Sequence, residues 1–141
     1  MNILGIGTDI VECPRIGKMI EQYGELFLRR IYTPREIRYC HSRKHAIEHF
    51  AGRWAAREAI LKAQGPAGAG ASPGRTSRCG PARRASPGVM IGGVAKEVAR
   101  ERGIGEILIS ISHCRTYATA YAMALARQAP AEPASPPAAE G

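Results

Sequence analysis

Hydrophobic and polar positions alternate along three stretches of the chain and recur at helical spacing between them. From Asn2 to Val11 the alternation predicts a strand, with Ile3, Gly5, Gly7 and Asp9 on one face and Leu4, Ile6, Thr8 and Ile10 on the other. Glu106 to His113 reads the same way, with Ile107, Ile109, Ile111 and His113 on one side and Leu108, Ser110 and Ser112 opposite. After a turn at Cys114-Arg115-Thr116, large and small residues alternate strictly from Tyr117 to Leu125. Alanine content there favours a helix, but a period of two fits only a strand, and the period decides.

The helical segments carry their own punctuation. Pro14 opens a helix with Ile16, Met19, Ile20, Tyr23, Leu26 and Phe27 inward and Arg15, Lys18, Arg29 and Arg30 outside, interrupted near Gly24. Thr33-Pro34-Arg35-Glu36 is a capping box with proline at the first helical position, so a short helix starts there and ends near Cys40. After Ser42-Arg43-Lys44 a long helix runs to about Ala63, with Ile47, Ala51, Trp54 and Leu61 in one apolar stripe and Glu58 in its middle. A carboxylate so placed needs a cation, a metal or a proton, and Lys62 one turn on is the nearest partner. An ordinary exposed Glu-Lys pair, worth a few tenths of a kcal/mol, is the plainer alternative. His41, His45 and His49 have ligand spacing but lie opposite the stripe, which favours solvated imidazoles over a metal site. A last helix spans Gly93 to Arg102, with Val94, Ala95, Val98 and Ala99 inward and Gly103 as its stop.

Pro66 to Gly88 breaks this order. It has no Val, Ile, Leu, Met, Phe, Tyr, Trp or acidic residue, so it cannot bury enough apolar area to offset its ordering entropy and is expected to be a loop or disordered. The Pro/Ala-rich tail from Arg127 to Gly141 is expected to be disordered as well, leaving one domain at residues 1–126. The formal charge of the 141 residues is +8, but four arginines of the odd segment carry half of that excess. A small basic nucleic-acid binder would account for the charge, yet the few aromatics are not interleaved with Lys and Arg in a stacking pattern. Cys13, Cys40, Cys79 and Cys114 show no metal-ligand spacing and fit a reducing cytoplasm. No stretch is long and apolar enough to span a bilayer.

Candidate chemistry gathers at three separated places. Glycine inside a strand marks the close approach of a ligand or of another backbone. Gly5 and Gly7 therefore either leave room for a ligand beside Asp9 or let a helix pack tightly, with Asp9 capping the next element. Asp9 and Glu58 are suited to a hard divalent cation, and Lys62 and His113 to phosphate. Mg²⁺ is commonly held by one or two carboxylates plus substrate phosphates. No G-x-x-x-x-G-K-[ST] loop is present, so a kinase-like cradle is excluded.

Three motifs, in this order and spacing, resemble the bacterial holo-acyl-carrier-protein synthases, a family of 4′-phosphopantetheinyl transferases: Gly5-Ile-Gly-Thr-Asp-Ile-Val-Glu12 with Arg15-Ile16, Ala51-Gly-Arg-Trp-Ala-Ala-Arg-Glu-Ala-Ile-Leu-Lys-Ala63, and Ile109-Ser-Ile-Ser-His113 with Tyr117-Ala118. The resemblance covers about residues 1–64 and 92–126. It implies an α+β fold, an antiparallel sheet packed with a long helix. It also implies Mg²⁺-dependent transfer of the phosphopantetheine arm of coenzyme A to a serine of apo-acyl carrier protein, in support of fatty acid biosynthesis. By the same resemblance Asp9 and Glu58 match the metal-binding carboxylates, Lys62 the lysine on the reacting diphosphate, and His113, Lys44 and Arg53 contacts to coenzyme A. Arg15, Lys18, Arg29 and Arg30 match the cationic helix that docks the acidic carrier protein. Family members are homotrimers with active sites between protomers. Arg57 stands where the family usually has lysine. The abrupt loss of the pattern at Gln64-Gly65 and its return near Ile91-Gly92-Gly93 resembles a reading-frame excursion that costs the fold a strand. An inactive relative that still docks the carrier protein is the alternative this leaves.

Overall fold

The computed structural model describes residues 2–66, 77–79, 89–91 and 93–130. In chain order its elements are β1 (Ile3–Glu12), α1 (Cys13–Ile31), α2 (Pro34–His41), α3 (Ala46–Ala63), β2 (Ser77–Cys79), β3 (Val89–Ile91), α4 (Gly93–Glu101), β4 (Ile104–His113) and β5 (Tyr117–Ala126). β1, β5 and β4 form an antiparallel sheet with β5 in the middle, and β2 pairs with β3. This is the expected α+β arrangement. The alternating segment at β5 is a strand, so period outranks alanine propensity here.

Asp9, Ala120 and Ile111 lie side by side across the sheet, and Val11, Ala118 and His113 form the next row on the same face. Along β5 that inner face is made of small residues: Ala118, Ala120, Ala122 and Ala124 are buried against α3. A Cβ on Gly5 or Gly7 would collide with the carbonyl oxygens of Ala63 and Ala59. The glycines thus admit the helix backbone, not a ligand. The opposite face keeps Leu4, Ile6, Ile10, Tyr117 and Tyr121 exposed.

The expected single stripe on α3 is corrected. Ile47 is exposed, while Phe50, Ala51, Ala55, Ala56, Ala59, Ile60, Leu61 and Ala63 are buried, because α3 lies between the sheet and both α1 and α2. A helix covered on several sides has no single apolar stripe. Gly65, at φ +79°, ends it as an αL cap. In α1 the break at Gly24 is real (φ 55°, ψ −136°) and turns Tyr23 and Leu26 to solvent, while Phe27, Leu28 and Ile31 enter the core. The capping box at Thr33 forms in both directions, with Glu36 N donating to Thr33 Oγ1 at 3.2 Å and Thr33 N donating to Glu36 Oε1 at 3.1 Å.

The Gly/Pro-rich segment is not wholly without structure. Ser77–Cys79 pairs with Val89–Ile91, a partner chosen at a distance that no local pattern announces. Residues 67–76 and 80–88 of that segment, and residues 131–141 of the tail, lie outside the described residues. Arg127, placed in the tail by its composition, donates its backbone N–H to Gly103 O at 2.7 Å and so continues the sheet.

Candidate active site

α3 runs across the inner face so that its C-terminal half lies over β1 and its N-terminal half over the end of β4. Ala59 and Ala63 against Gly7 and Gly5 fix the first contact, and Gly52 against Ile111 and His113 fixes the second. This docking brings Glu58 and Lys62 to Asp9, residues far apart in sequence. Lys62 Nζ is 2.9 Å from Asp9 Oδ1 and donates to the carbonyl of Thr8 at 3.0 Å. The strand edge is held from the other side by Thr119 Oγ1, which donates to Asp9 O at 3.0 Å.

The lysine expected to pair with Glu58 pairs with Asp9. Glu58 itself is half-buried, and its carboxyl is pushed above the ordinary value, chiefly by burial and then by the charge of Asp9, against the pull of Lys62 and Arg57. Two carboxylates thus share one lysine in a partly desolvated place. Among the described residues no three His, Cys, Asp or Glu side chains are grouped so that they could hold a metal ion by themselves. A two-carboxylate donor set suits Mg²⁺, which takes its other oxygens from phosphate and water.

A second polar cluster lies at the other end of α3. Ten residues separate Glu48 from Glu58, roughly 15 Å along the helix. Glu48 Oε2 is 3.2 Å from His113 Nδ1, and the His113 ring lies 4.9 Å from that of His49. Burial and then the neighbouring His113 push the His49 imidazole below its ordinary value. His49 is therefore not the solvated imidazole expected. His41 belongs to α2 and His45 precedes α3, so the three do not share one helix face. Beside this cluster is an open cavity of about 640 Å³ lined by Cys13, Lys44, His45, Ile47, Glu48 and Arg115, among others.

The structure therefore brings together Asp9, Glu58 and Lys62 at one end and places Lys44 near the Glu48–His113 pair at the other. Arg53 borders the second group, its charge also acting on His49. Its guanidinium lies over the Tyr39 ring at 4.4 Å, with Nε 3.9 Å from Glu36 Oε2. Arg57 is also directed at Glu36, Nη2 to Oε1 at 3.6 Å, and both side chains are 3% exposed. Arg15, Lys18, Arg29 and Arg30 are all exposed, the first pair before the Gly24 break and the second after it. Arg29 makes an ion pair with Glu25 at 2.9 Å. Pattern reading missed Glu48, Arg115 and the buried Glu36. Glu48 had no local signal, since its partner His113 is 65 residues away. Glu36 was noticed only as half of a capping box.

Comparison with known proteins places this geometry. The model of the 4′-phosphopantetheinyl transferase superfamily matches residues 5–93, running through the Gly/Pro-rich segment that the motif resemblance skipped. A holo-[acyl-carrier-protein] synthase of Koribacter versatilis is 44% identical over 118 residues, covering 84% of this chain and 94% of the relative. Among solved structures, the holo-ACP-synthase of Plasmodium yoelii superposes with a TM-score of 0.75 at 31% identity, covering 90% of this chain and 98% of that one. A holo-(acyl-carrier-protein) synthase of Bacillus anthracis, solved in complex with CoA (3′,5′-ADP), gives 0.69 at 30% identity, covering 89% and 98%.

Proposed function

The chain belongs to the 4′-phosphopantetheinyl transferase superfamily, and on that premise we propose that it transfers the phosphopantetheine arm of coenzyme A to a serine of apo-acyl carrier protein, with Mg²⁺, in the service of fatty acid biosynthesis. That it is a phosphopantetheinyl transferase follows from relatives named holo-acyl-carrier-protein synthase that it matches over most of its length. The observation that carries the finer reading is the meeting of Asp9, Glu58 and Lys62 at one point of the α3–β1 contact.

Asp9 and Glu58 would hold Mg²⁺, which when bound polarises a diphosphate and offsets its charge. Lys62 Nζ, fixed by Thr8 O and Asp9, carries a positive charge to the oxygens on which charge grows as the phosphorus–oxygen bond to 3′,5′-ADP breaks. The carrier serine hydroxyl attacks the phosphorus of the pantetheine side, and its proton passes to a carboxylate of the pair, directly or through water. At the other end of α3, Lys44 and His113 contact a second phosphate of coenzyme A, and Arg115 adds a cation to the same cavity. The exposed Arg15, Lys18, Arg29 and Arg30 on α1 dock the acidic carrier. Arg53, lying over Tyr39 and near Glu36, adds a further cation toward coenzyme A at the His113 end of α3.

Residues 1–126 act as the single catalytic domain, in the cytoplasm. No described helix is long and apolar enough to cross a membrane. A homotrimer accounts for the outer face of the sheet, where Ile6, Ile10 and Tyr121 are 62%, 66% and 57% exposed side by side. The experiment is direct: the chain is mixed with coenzyme A, Mg²⁺ and apo-acyl carrier protein, and the carrier is weighed by mass spectrometry. A gain of one phosphopantetheine arm is expected. No gain from a folded sample overturns the assignment.

A further inference from the structure

The β4–β5 turn brings two cysteines together that the transfer reaction does not use. Cys114 is exposed, and its sulfur accepts the backbone N–H of Tyr117 at 3.4 Å. Cys13, at the start of α1, is buried, and its Sγ–H points at the carbonyl oxygen of Cys114 at 3.6 Å. The two backbones are tied in place around them, Cys13 N donating to Thr116 O at 2.8 Å and Cys114 N to Tyr117 O at 2.9 Å. The two thiols differ in character. The amides of Tyr117 and Thr116 pull the Cys114 thiol below its ordinary value, whereas burial, followed by the charge of Glu48, pushes Cys13 up.

We propose that Cys114 and Cys13 form a reversible thiol–disulfide pair that responds to hydroperoxides. Cys114 is the group attacked first, being exposed and held by backbone donors, and Cys13 is the resolving thiol. The Cys114 thiolate attacks the outer oxygen of the peroxide, the O–O bond breaks, and the alcohol leaves after taking a proton, giving a sulfenic acid on Cys114. Cys13 then loses its proton and its sulfur attacks Cys114 Sγ, and the S–O bond breaks with release of water. Two thiols and one hydroperoxide become one disulfide, one alcohol and one water. Redox-sensing cysteines are exposed, of lowered pKa and often poised next to a resolving cysteine, as Cys114 is beside Cys13. Cys13 and Arg115 both line the 640 Å³ cavity, so a bond between Cys13 and Cys114 would fix the turn that carries Arg115 at its wall.

The test uses the full chain. After treatment with hydrogen peroxide and alkylation of the remaining thiols, a digest run without reductant should contain a peptide joining Cys13 to Cys114, and dithiothreitol should abolish it. In Cys13→Ser the sulfenic acid has no resolving partner, so dimedone should label Cys114. In Cys114→Ser neither the linked peptide nor a dimedone label on Cys13 should form. Should Cys13→Ser fail to fold, the linked peptide in the parent chain decides alone. The proposal is overturned if Cys114 stays fully alkylatable at peroxide concentrations that oxidise it in the unfolded chain, or if it is joined to Cys40, Cys79 or a second chain.

Discussion

The two faces of the β1–β5–β4 sheet share one period and reach opposite outcomes. On the inner face glycine and alanine are closed off under α3; on the outer face isoleucine and tyrosine stand in solvent. Burial usually favours large apolar residues. At Gly5, Gly7 and the β5 alanines it selects small ones, because a helix backbone passes there at close range and a larger side chain would hold α3 away, while Val11 of β1 and Ile107 and Ile109 of β4 supply the large buried residues of the same face. The same closeness sets the chemistry: only a helix seated on Gly5 and Gly7 brings Glu58 and Lys62 to Asp9. The inner face is thus fitted to its own helix, and the outer face is left in solvent in the single chain.

The sharpest break of that contrast is chemical. Glu58→Gln keeps the shape of the inner-face site and removes a carboxylate, so turnover should fall by about 1,000-fold, read as carrier mass gained per minute. Its effect on the metal-free fold should run the other way. A carboxyl whose folded pKa lies above its ordinary value of about 4.5 binds protons more readily in the folded than in the unfolded state. Its contribution is therefore greatest in acid and is lost as pH rises from that value through the raised one. Removing the charge should make the protein, in chelator at pH 7, at least as stable as the parent, and thermal melts from pH 4 to 8 should show a weaker fall with pH. Melting of Glu58→Gln under those conditions would mean that the carboxylate is a structural ion-pair partner.

Next comes fit. Gly7→Ala places a Cβ on the carbonyl of Ala59 and should cost about 3 kcal/mol in urea unfolding. A loss within about 0.5 kcal/mol would show that α3 can shift and that closeness does not distinguish the faces. Lys62→Ala should lower turnover by about 100-fold while calorimetry still detects Mg²⁺ binding, because both carboxylates remain. The smallest effect on the fold belongs to the outer face: Ile10→Asp with Tyr121→Asp should change the stability of the single chain by no more than about 0.5 kcal/mol per site. The same pair should shift the mass measured by light scattering from three copies to one. A parent that is already a single copy would remove the reason for the exposed tyrosines and isoleucines given above.

Much of this was legible in the sequence where the signal is local. The period of two placed β4 and β5, the Thr33–Glu36 box started α2, Gly24 broke α1, and the motifs around Asp9, Glu58 and His113 identified the family. These signals need no knowledge of neighbours, because backbone period, caps and αL positions act within a few residues. Tertiary structure decided the rest. Whether Gly5 and Gly7 made room for a ligand or for a helix, and whether Lys62 paired with Glu58 or Asp9, both depend on where α3 lands. Pairing of Ser77–Cys79 with Val89–Ile91 likewise rests on a strand partner rather than on its own residues. A side chain's partner across the fold is set by docking distances of a few ångströms, and no spacing along a single element encodes them.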